Sequence, residues 1–483
     1  MTRGPSRFIP IAACVAMLHG CMVGPDYVRP AVETPAAYKE TTVEWKPARP
    51  SDDAKRGKWW EVFGDPQMNA LIEQVNISNQ NVRAAEARFR QAQAVVASSR
   101  ATFFPTVDAN ASIIRSQSPS GALGGTTAGR IVTNRSASLE AGWEADVWGR
   151  VRRGVESSEA GAQASAADLE SVRLSAQAEL ATNYLQLRVL DVQKQLLDDS
   201  IGASQKSLDL TKNRYAAGVV GKVDVAQAET QLRSTQAQAV DTGIQRAQLE
   251  HAIALLIGKA PSNFSLPRAP LTVTMPGIPA TMPSELLERR SDIAAAERRV
   301  AAANAQIGVA QSAFFPSLGL SATLGSRASD PSLWFTTASR FWSIGPAIAQ
   351  TIFDAGLRRA HTDEAIAAYD GTVADYRQTV LNAFREVEDN LAALRILEEE
   401  SQFQDQAVRA ARESLSLTTN QYRAGIVSFL NVAIAQAAQL NNERTAVGLL
   451  GQRLTAAIAL IKALGGDWND SKLKVGDQPV TGR

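Results

Sequence analysis

The chain has 483 residues, and its 50 lysines and arginines nearly balance its 49 aspartates and glutamates, giving a formal net charge of +1. This balance argues against a nucleic-acid-binding protein, which would carry a basic face. No run of 18 apolar residues follows the N-terminus, so the sequence predicts no transmembrane helix in the mature chain. We expect any membrane crossing to use β-strands.

The N-terminus has the pattern of an export signal. Arg3 and Arg7 precede an apolar run at 8–18, which ends in Leu18-His19-Gly20-Cys21. This ending is similar to the lipobox of bacterial lipoproteins, in which the cysteine thiol receives a diacylglycerol. We expect Cys21 to be lipidated. The next residue, Met22, is not the aspartate that signals inner-membrane retention in such lipoproteins, so the resemblance implies a lipid-anchored protein of the outer membrane that extends into the periplasm. The alternatives are a plain secretory signal with an incidental cysteine and a looser match ending at Cys14.

The sequence repeats itself once. Phe103-Phe104-Pro105 recurs as Phe314-Phe315-Pro316, and Asn213–Val219 recurs as Asn420–Ile426. Gly149-Arg150 has a weaker counterpart beginning at Gly356. The chain is therefore interpreted as a tandem duplication with a period near 207 residues.

The repeat and the proline-rich segments predict the domain organisation. Each half has a helix, two strands joined by a loop, a very long helix, a tight turn and a medium helix. The predicted segments are a signal peptide (1–20), an extended arm (21–57), repeat 1 (58–258), a linker (259–283), repeat 2 (284–465) and a C-terminal tail (466–483).

Four predicted strands alternate apolar and polar residues. They lie at about 103–116, 136–148, 315–326 and 340–353, and Val107, Ala109, Ala111 and Ile113 illustrate the apolar side. A soluble sandwich would alternate in the same way. Aromatic residues at both ends of these strands, among them Phe103, Trp148 and Trp342, favour a membrane because they form two interfacial girdles. Four strands cannot close a barrel, so the protein must oligomerise.

The long helices have no proline from Gly149 to Tyr215 and bear two apolar stripes. At 1.5 Å per residue such a helix reaches about 100 Å, so it must project from the membrane. The shorter helices, near 76–101 and 223–258, together nearly match its length. The second half repeats this with 292–313 and 429–464 against 355–421. We infer a tube walled by helices and continuous with a barrel.

These features together resemble the outer membrane factor family of TolC and OprM, and most closely its NodT-type efflux lipoproteins. The resemblance covers nearly the whole chain. It is carried by these groups of residues: Cys21 with Gly24-Pro25-Asp26-Tyr27 and Arg29-Pro30; Trp59-Trp60, Phe63, Asp65-Pro66 and Leu71-Ile72; Leu286-Leu287, Arg289-Arg290, Asp292-Ile293, Ala296-Glu297, Ala302-Ala303-Asn304 and Ile307-Gly308.

The resemblance implies a mainly α fold with a small β part: a tandem-repeat protomer of a trimeric 12-stranded outer-membrane β-barrel continuous with a long periplasmic α-helical barrel. It implies a homotrimer, a periplasmic adaptor (membrane fusion protein), an inner-membrane transporter of the resistance-nodulation-division type and surrounding outer-membrane lipid as partners. The implied function is the exit duct of a tripartite efflux pump for small toxic compounds or drugs. A duct for type I protein secretion is the alternative.

The resemblance also assigns roles at the two helix turns. The turns match the family's periplasmic tips, where an adaptor hairpin docks, and an ordinary turn between antiparallel helices is the alternative. Asp224 and Leu430 match positions that close the duct in relatives, and Asn431 and Ile434 stand where relatives often carry aspartates. The expected adaptor-docking residues are Tyr215, Gly218, Val219, Tyr422, Gly425 and Ile426.

We find no sequence support for catalysis, a cofactor or a metal. The three histidines, His19, His251 and His361, are isolated, and the run Glu398-Glu399-Glu400 reads as a solvated helix face. A glycine cluster at 121–125 lacks the lysine and helix of a phosphate-binding loop. A soluble coiled-coil scaffold would not account for the girdled strands.

Overall fold

The computed structural model describes residues 22–35, 37–40, 58–117, 131–273, 275–276 and 289–466. The predicted signal peptide, Cys21, the glycine cluster at 121–125 and the chain beyond residue 466 lie outside this part. Two compact units are present. The first unit comprises Met1–Ala31, Phe89–Ser165 and Ala296–Tyr376, and the second comprises Val32–Arg88, Ala166–Ala295 and Arg377–Arg483.

The first unit contains one antiparallel sheet in the order β1-β2-β3-β4. Its strands are β1 (Thr106–Gln117), β2 (Ile131–Ala145), β3 (Ser317–Ala328) and β4 (Arg340–Ala349). The register pairs Leu139 with both Ala109 and Leu324, which joins the two halves of the chain through β2 and β3. Successive side chains alternate between the sheet faces, so one face collects the apolar positions that the sequence predicts.

The helices repeat with nearly identical lengths in the two halves. Repeat 1 has α1 (Pro66–Ser78), α2 (Gln80–Ala101), α3 (Arg150–Ala216) and α4 (Lys222–Leu256). Repeat 2 has α5 (Ser291–Ser312), α6 (Leu357–Arg423) and α7 (Phe429–Ala463). Both α3 and α6 contain 67 residues, and both α4 and α7 contain 35. Strands are less equal, since β2 has 15 residues and β4 has 10.

The predicted helix near 76–101 differs from the observed one, because Asn79 separates α1 from α2. Asn79 has extended backbone (ψ 126). Its side-chain oxygen accepts from the amides of Asn81 (2.9 Å) and Val82 (3.1 Å), which caps α2. Its side-chain nitrogen donates to the carbonyl of Leu256 at 2.7 Å, in the last turn of α4. One buried asparagine therefore starts one helix and ties it to the end of another.

The Trp59-Trp60 region packs as an anchor in the second unit. Trp60 and Phe63 are buried, and Asp65 caps α1 by accepting from the amides of Gln67 and Met68. The Tyr184 hydroxyl, on α3, donates to the Asp65 carboxylate at 2.8 Å. Burial raises the pKa of Tyr184 to about 12, so this hydroxyl stays a donor across the physiological range.

The inter-repeat linker is fixed to the second unit by charged groups. Arg188, 1% exposed, donates to Asp191 (3.0 Å) and to the Pro267 carbonyl (2.8 Å). Arg246 on α4 donates to Asp191 and to the Leu266 carbonyl. Two arginines that share one carboxylate thus satisfy the carbonyls of an extended segment that has no ladder of its own.

By length and composition alone, α7 could cross a membrane: an 18-residue window has a mean hydropathy of 1.3, and 44% of it is buried in the chain. The expectation that no such helix exists was too strict. Core helices pass the same test, and α7 buries Phe429, Val432, Leu440 and Leu454 against its neighbours.

The N-terminal arm is clamped in the first unit by Arg153 of α3, which is 1% exposed. Its guanidinium donates to the Val23 and Gly24 carbonyls and to the Asp26 carboxylate. Gly24 (φ +102) lies so close to Gly308 that a Cβ on Gly24 would approach the Gly308 Cα to 2.4 Å. The arm therefore fits only where two glycines meet.

Replacing Arg153 with methionine is expected to release residues 22–29 by leaving two backbone carbonyls without a donor, a loss of about 2 kcal/mol. Hydrogen exchange of the arm amides measures this release. Arg150→Gln is the control, because Arg150 pairs with Glu144 at the surface and not with the arm. Equal arm protection in both variants would contradict the clamp.

Candidate functional site at the two helix turns

The two turns of the second unit have the same backbone. Each ends its long helix with a glycine-centred motif: the amide of Gly218 donates to the Tyr215 carbonyl, and that of Val219 to the Arg214 carbonyl. In the second turn, Gly425 donates to Tyr422 and Ile426 to Gln421. This pair of bonds is the Schellman arrangement, which satisfies the last helical carbonyls. At these two turns, the sequence repeat is therefore also a repeat of the backbone structure.

Both turns require a left-handed residue, and glycine supplies it. Gly218 has φ +73 and Gly425 has φ +80. No atom lies within 4 Å of the Cβ position on Gly218, and only the Arg214 guanidinium, at 3.6 Å, lies near that on Gly425. The backbone of both turns is therefore open to a close approach from outside.

The predicted docking residues divide into exposed and buried ones. Tyr215 is 47% exposed, and the side chains of Val219 and Ile426 are exposed as well. Tyr422 is only 2% exposed, although it occupies the position in repeat 2 that Tyr215 occupies in repeat 1. A docking role for the Tyr422 side chain does not fit this burial, so its contribution is to hold the turn.

Tyr422 is the centre of a cluster beneath the turns. Its ring packs edge-on against Phe429 with centroids 5.6 Å apart, and its hydroxyl lies 3.0 Å from that of Thr211. The other buried members are Leu208, Ala228, Leu232 and Val432. Residues of α3, α4, α6 and α7 all contribute, so this cluster joins the two turns to each other.

Arg214, which was not among the residues predicted from the sequence, links the first turn to the second. Its guanidinium lies over the Tyr422 ring, 4.7 Å from the centroid, and donates to the carbonyl of Tyr422. A cation at a helix C-terminus is favoured by the helix dipole. The equivalent residue in repeat 2 is Gln421. A comparison of the two repeats for unequal charges would have singled out this position.

The closure candidates occupy the first turns of α4 and α7. The Asp224 carboxylate accepts from the amide of Gly221 at 3.3 Å and so caps its own helix. Leu430 is 48% exposed and Ile434 is 59% exposed, four residues apart on one side of α7. Asn431 contacts the Ser428 hydroxyl at 3.4 Å. The structure places Leu430 and Ile434 one helical turn apart, with both apolar side chains exposed.

No group of three or more His, Cys, Asp or Glu side chains that could hold a metal ion occurs among the residues that the structure describes. The turns offer backbone, apolar side chains and one stacked arginine. Such a surface can bind another protein.

Solved outer-membrane channels share this fold. The channel OprN superposes with a TM-score of 0.86 at 32% identity, covering 92% of this chain and 99% of that one. The open state of MtrE from Neisseria gonorrhoeae gives a TM-score of 0.81 at 28% identity, covering 92% and 98%. The chain therefore has the fold of a protomer of a trimeric outer-membrane channel, mainly helical with a small sheet.

Relatives and a family model place the chain more closely. The model of the outer membrane efflux protein family matches residues 71–259 and 282–466. The pyoverdine export outer membrane protein OpmQ of Pseudomonas aeruginosa is 31% identical over 470 residues, 96% of this chain and 97% of that protein. The solvent efflux pump protein SrpC of Pseudomonas putida is 32% identical, with 96% and 99% covered. This chain belongs to the outer membrane efflux protein family.

Changing Arg214 to glutamine is expected to loosen the second turn, because the variant loses the stacking on Tyr422 and a charged donor to its carbonyl. The local stability should fall by about 1–2 kcal/mol. Faster hydrogen exchange at the amides of 424–426 reports this loss. Gln421→Ala, at the equivalent place in the other repeat, should leave these amides protected. Unchanged protection in the Arg214 variant would show that Arg214 does not hold the second turn.

Proposed function

We propose that this chain forms, as a homotrimer, the outer-membrane exit duct of a tripartite efflux pump. It carries small toxic compounds from a periplasmic adaptor and an inner-membrane transporter to the exterior and performs no chemistry itself. The observation that carries the proposal is the match, over nearly the full length of the chain, to solved outer-membrane channels. A transporter of the resistance-nodulation-division type is the partner that we expect.

The names of the relatives favour efflux of small compounds over protein secretion. They describe export of pyoverdine, of toluene and other solvents, of antibiotics and of cations. The cargo of these relatives is chemically diverse, although the proteins share this chain's length. Selection of the compound is therefore expected to lie mainly in the transporter.

Lipidation of Cys21 is part of the proposal, and the position of the next residues supports it. Met22 lies against Gly149, where a Cβ would approach the Met22 Cγ to 2.7 Å, and the Val23 amide donates to the Trp148 carbonyl at 3.0 Å. The arm thus starts where β2 ends, at the edge of the apolar sheet face. An acyl chain on the preceding residue would enter the membrane there. Mass spectrometry of the mature N-terminus tests this.

The open glycine turns are the proposed docking surface for the adaptor. Gly218 and Gly425 present backbone with space around it, and Tyr215, Val219 and Ile426 surround that backbone with exposed apolar groups. A helical hairpin of the adaptor could approach these turns closely and bury the apolar groups. Side chains added at the two glycines would keep it at a distance.

The double variant Gly218→Asn and Gly425→Asn tests docking and function together. Asparagine tolerates the left-handed conformation, so the turns should fold. Binding of the purified adaptor should weaken at least about tenfold. A deletion strain complemented with the native chain should regain drug efflux without gaining secretion of a large protein, whereas the double variant should not regain efflux.

Gly64→Asn is the matched control, since Gly64 is also left-handed (φ +69) with no atom near its Cβ position. It should complement like the native chain. Full complementation by the double variant would contradict the docking surface. Secretion of a large protein, restored without drug efflux, would favour the type I alternative.

Closure of the duct is assigned to Leu430 and Ile434, with Asp224 and Asn431 holding the adjacent helix starts. In a trimer, an exposed apolar pair from each subunit can meet at the axis and exclude water and ions. The absence of aspartate at 431 and 434 in the sequence supports an apolar rather than an acidic constriction.

Leu430→Ala is therefore expected to raise the resting ion conductance of the channel in planar bilayers, because a smaller side chain widens an apolar constriction. Leu255→Ala removes an equally large exposed side chain at the far end of α4 and should leave the conductance unchanged. A Leu430 variant that conducts like the native channel would exclude this closure.

A further inference from the structure

The apolar face of the sheet carries a pattern that the export function does not use. Its residues are the odd positions of β1 and β2 and the even positions of β3 and β4, as the register shows. Large apolar side chains on this face are exposed, namely Val107, Ile113, Leu139, Trp143, Leu320, Leu324, Trp342, Ile344 and Ile348. This face is the one that meets lipid in an outer-membrane barrel.

Three arginines are the only charged residues on this face of the described strands: Arg115, Arg135 and Arg340. The register places them on the apolar face. Arg135 pairs with Ile113 and Ala328, and Arg340 pairs with Ser326, two residues from Leu324. Arg115 follows Ile113 by two residues on the same strand. All three lie at the end of the sheet that is remote from the helices.

The depth of the apolar band matches a bilayer. From Ala145 to Arg135 the chain of β2 runs about 34 Å, or about 26 Å of depth at a tilt near 40°. The hydrocarbon therefore ends where the arginines begin. Because the helices project from the opposite end of the sheet, the arginines lie at the outer leaflet.

A hollow lies beside Arg340 on the same face. It has a volume of about 590 Å³, and its lining includes the small residues Ala111, Ala137 and Ser326. Leu139, Leu324 and Phe335 line its sides. Small residues between large apolar ones form a recess that fits an acyl chain, with a cation at the headgroup end.

The surrounding charges leave this end basic. The acidic residues of the strands, Asp108, Glu140 and Glu144, lie on the opposite, polar face. In the described part of the loops at this end, Asp330 is the one acidic residue, and its carboxylate accepts from Ser332. Arg135 donates one bond, to the Ser329 carbonyl at 3.0 Å, which leaves further guanidinium donors for a ligand.

We propose that Arg115, Arg135 and Arg340 bind the phosphate groups of outer-leaflet lipids, with an acyl chain of the lipid in the hollow beside Arg340. Guanidinium groups recognise phosphate through paired hydrogen bonds, and the lipid is the source because the arginines border an apolar band on one face. An anionic cargo in the lumen would require arginines on the polar face, where the described strands have only Arg327. This proposal rests on the outer-membrane placement of the sheet and not on efflux.

The test uses the full-length purified trimer and diphosphoryl lipid A in detergent micelles as the probe. The triple variant Arg115→Gln, Arg135→Gln and Arg340→Gln should bind it at least about tenfold more weakly. Arg327→Gln is the control, matched in charge to the single variant Arg340→Gln: it removes one arginine at the same end, but from the polar face, where Arg327 stacks on Phe341 (5.1 Å). This control should bind like the native chain.

Further arms separate the outcomes. Inorganic phosphate in large excess should not displace the lipid, and dephosphorylated lipid A should bind weakly to every variant. The triple Arg→Lys variant, which keeps the charges, should bind with intermediate strength, and Arg340→Gln alone serves if the triple variant does not form trimers. Equal binding by native and triple-glutamine chains, or an equal loss in Arg327→Gln, would overturn the proposal. Drug efflux, measured on the same variants, reports separately on the duct.

Discussion

The two open edges of a four-stranded sheet are the constraint on which the rest of the structure depends. Within the described residues, β1 and β4 each have a partner on one side only. In a bilayer, unpaired amides and carbonyls along such an edge cost several kcal/mol each. The protomer therefore cannot remain alone in a membrane, and pairing β1 of one subunit with β4 of the next removes every edge. Oligomerisation is a requirement of the backbone before it is a requirement of transport.

The duplication meets that requirement with similar pieces, but the two copies have diverged where they touch each other. At the turns the backbone is the same, and the side chains are not. Arg214 of repeat 1 corresponds to Gln421, and exposed Tyr215 corresponds to buried Tyr422. The guanidinium of Arg214 in repeat 1 thus lies over the ring of Tyr422 in repeat 2. The reverse contact, from position 421 to Tyr215, does not form, because residue 421 is a glutamine. As a result of this divergence, the two turns are joined by one contact, and one of the two equivalent tyrosines is buried while the other is exposed.

The sequence predicts the elements well because the repeat and the alternation are strong, independent signals. The helical periodicity of apolar residues and their alternation in the strands are each visible in the sequence without knowledge of the neighbouring segments. Asn79 was missed, since an asparagine in a polar helical stretch gives no sign that its side chain will cap one helix and bind the carbonyl of Leu256 in another. The burial of Tyr422 was missed for the same reason. Both depend on contacts between segments far apart in sequence, which a local pattern does not contain.

The N-terminal arm occupies only one of two places that the sequence repeat makes equivalent. Gly149 and Gly356 begin the long helices of the two repeats with left-handed backbone, φ +83 and +91. At Gly149 the space that a Cβ would need is filled by Met22, whereas no atom lies within 4 Å of the Cβ position at Gly356. A chain has one N-terminus, so only one of the two equivalent glycines is covered by the arm. At Gly149, glycine is required both by the backbone conformation and by the arm, but at Gly356 by the conformation alone. Asparagine, which tolerates that conformation, is therefore compatible with the second position and not with the first.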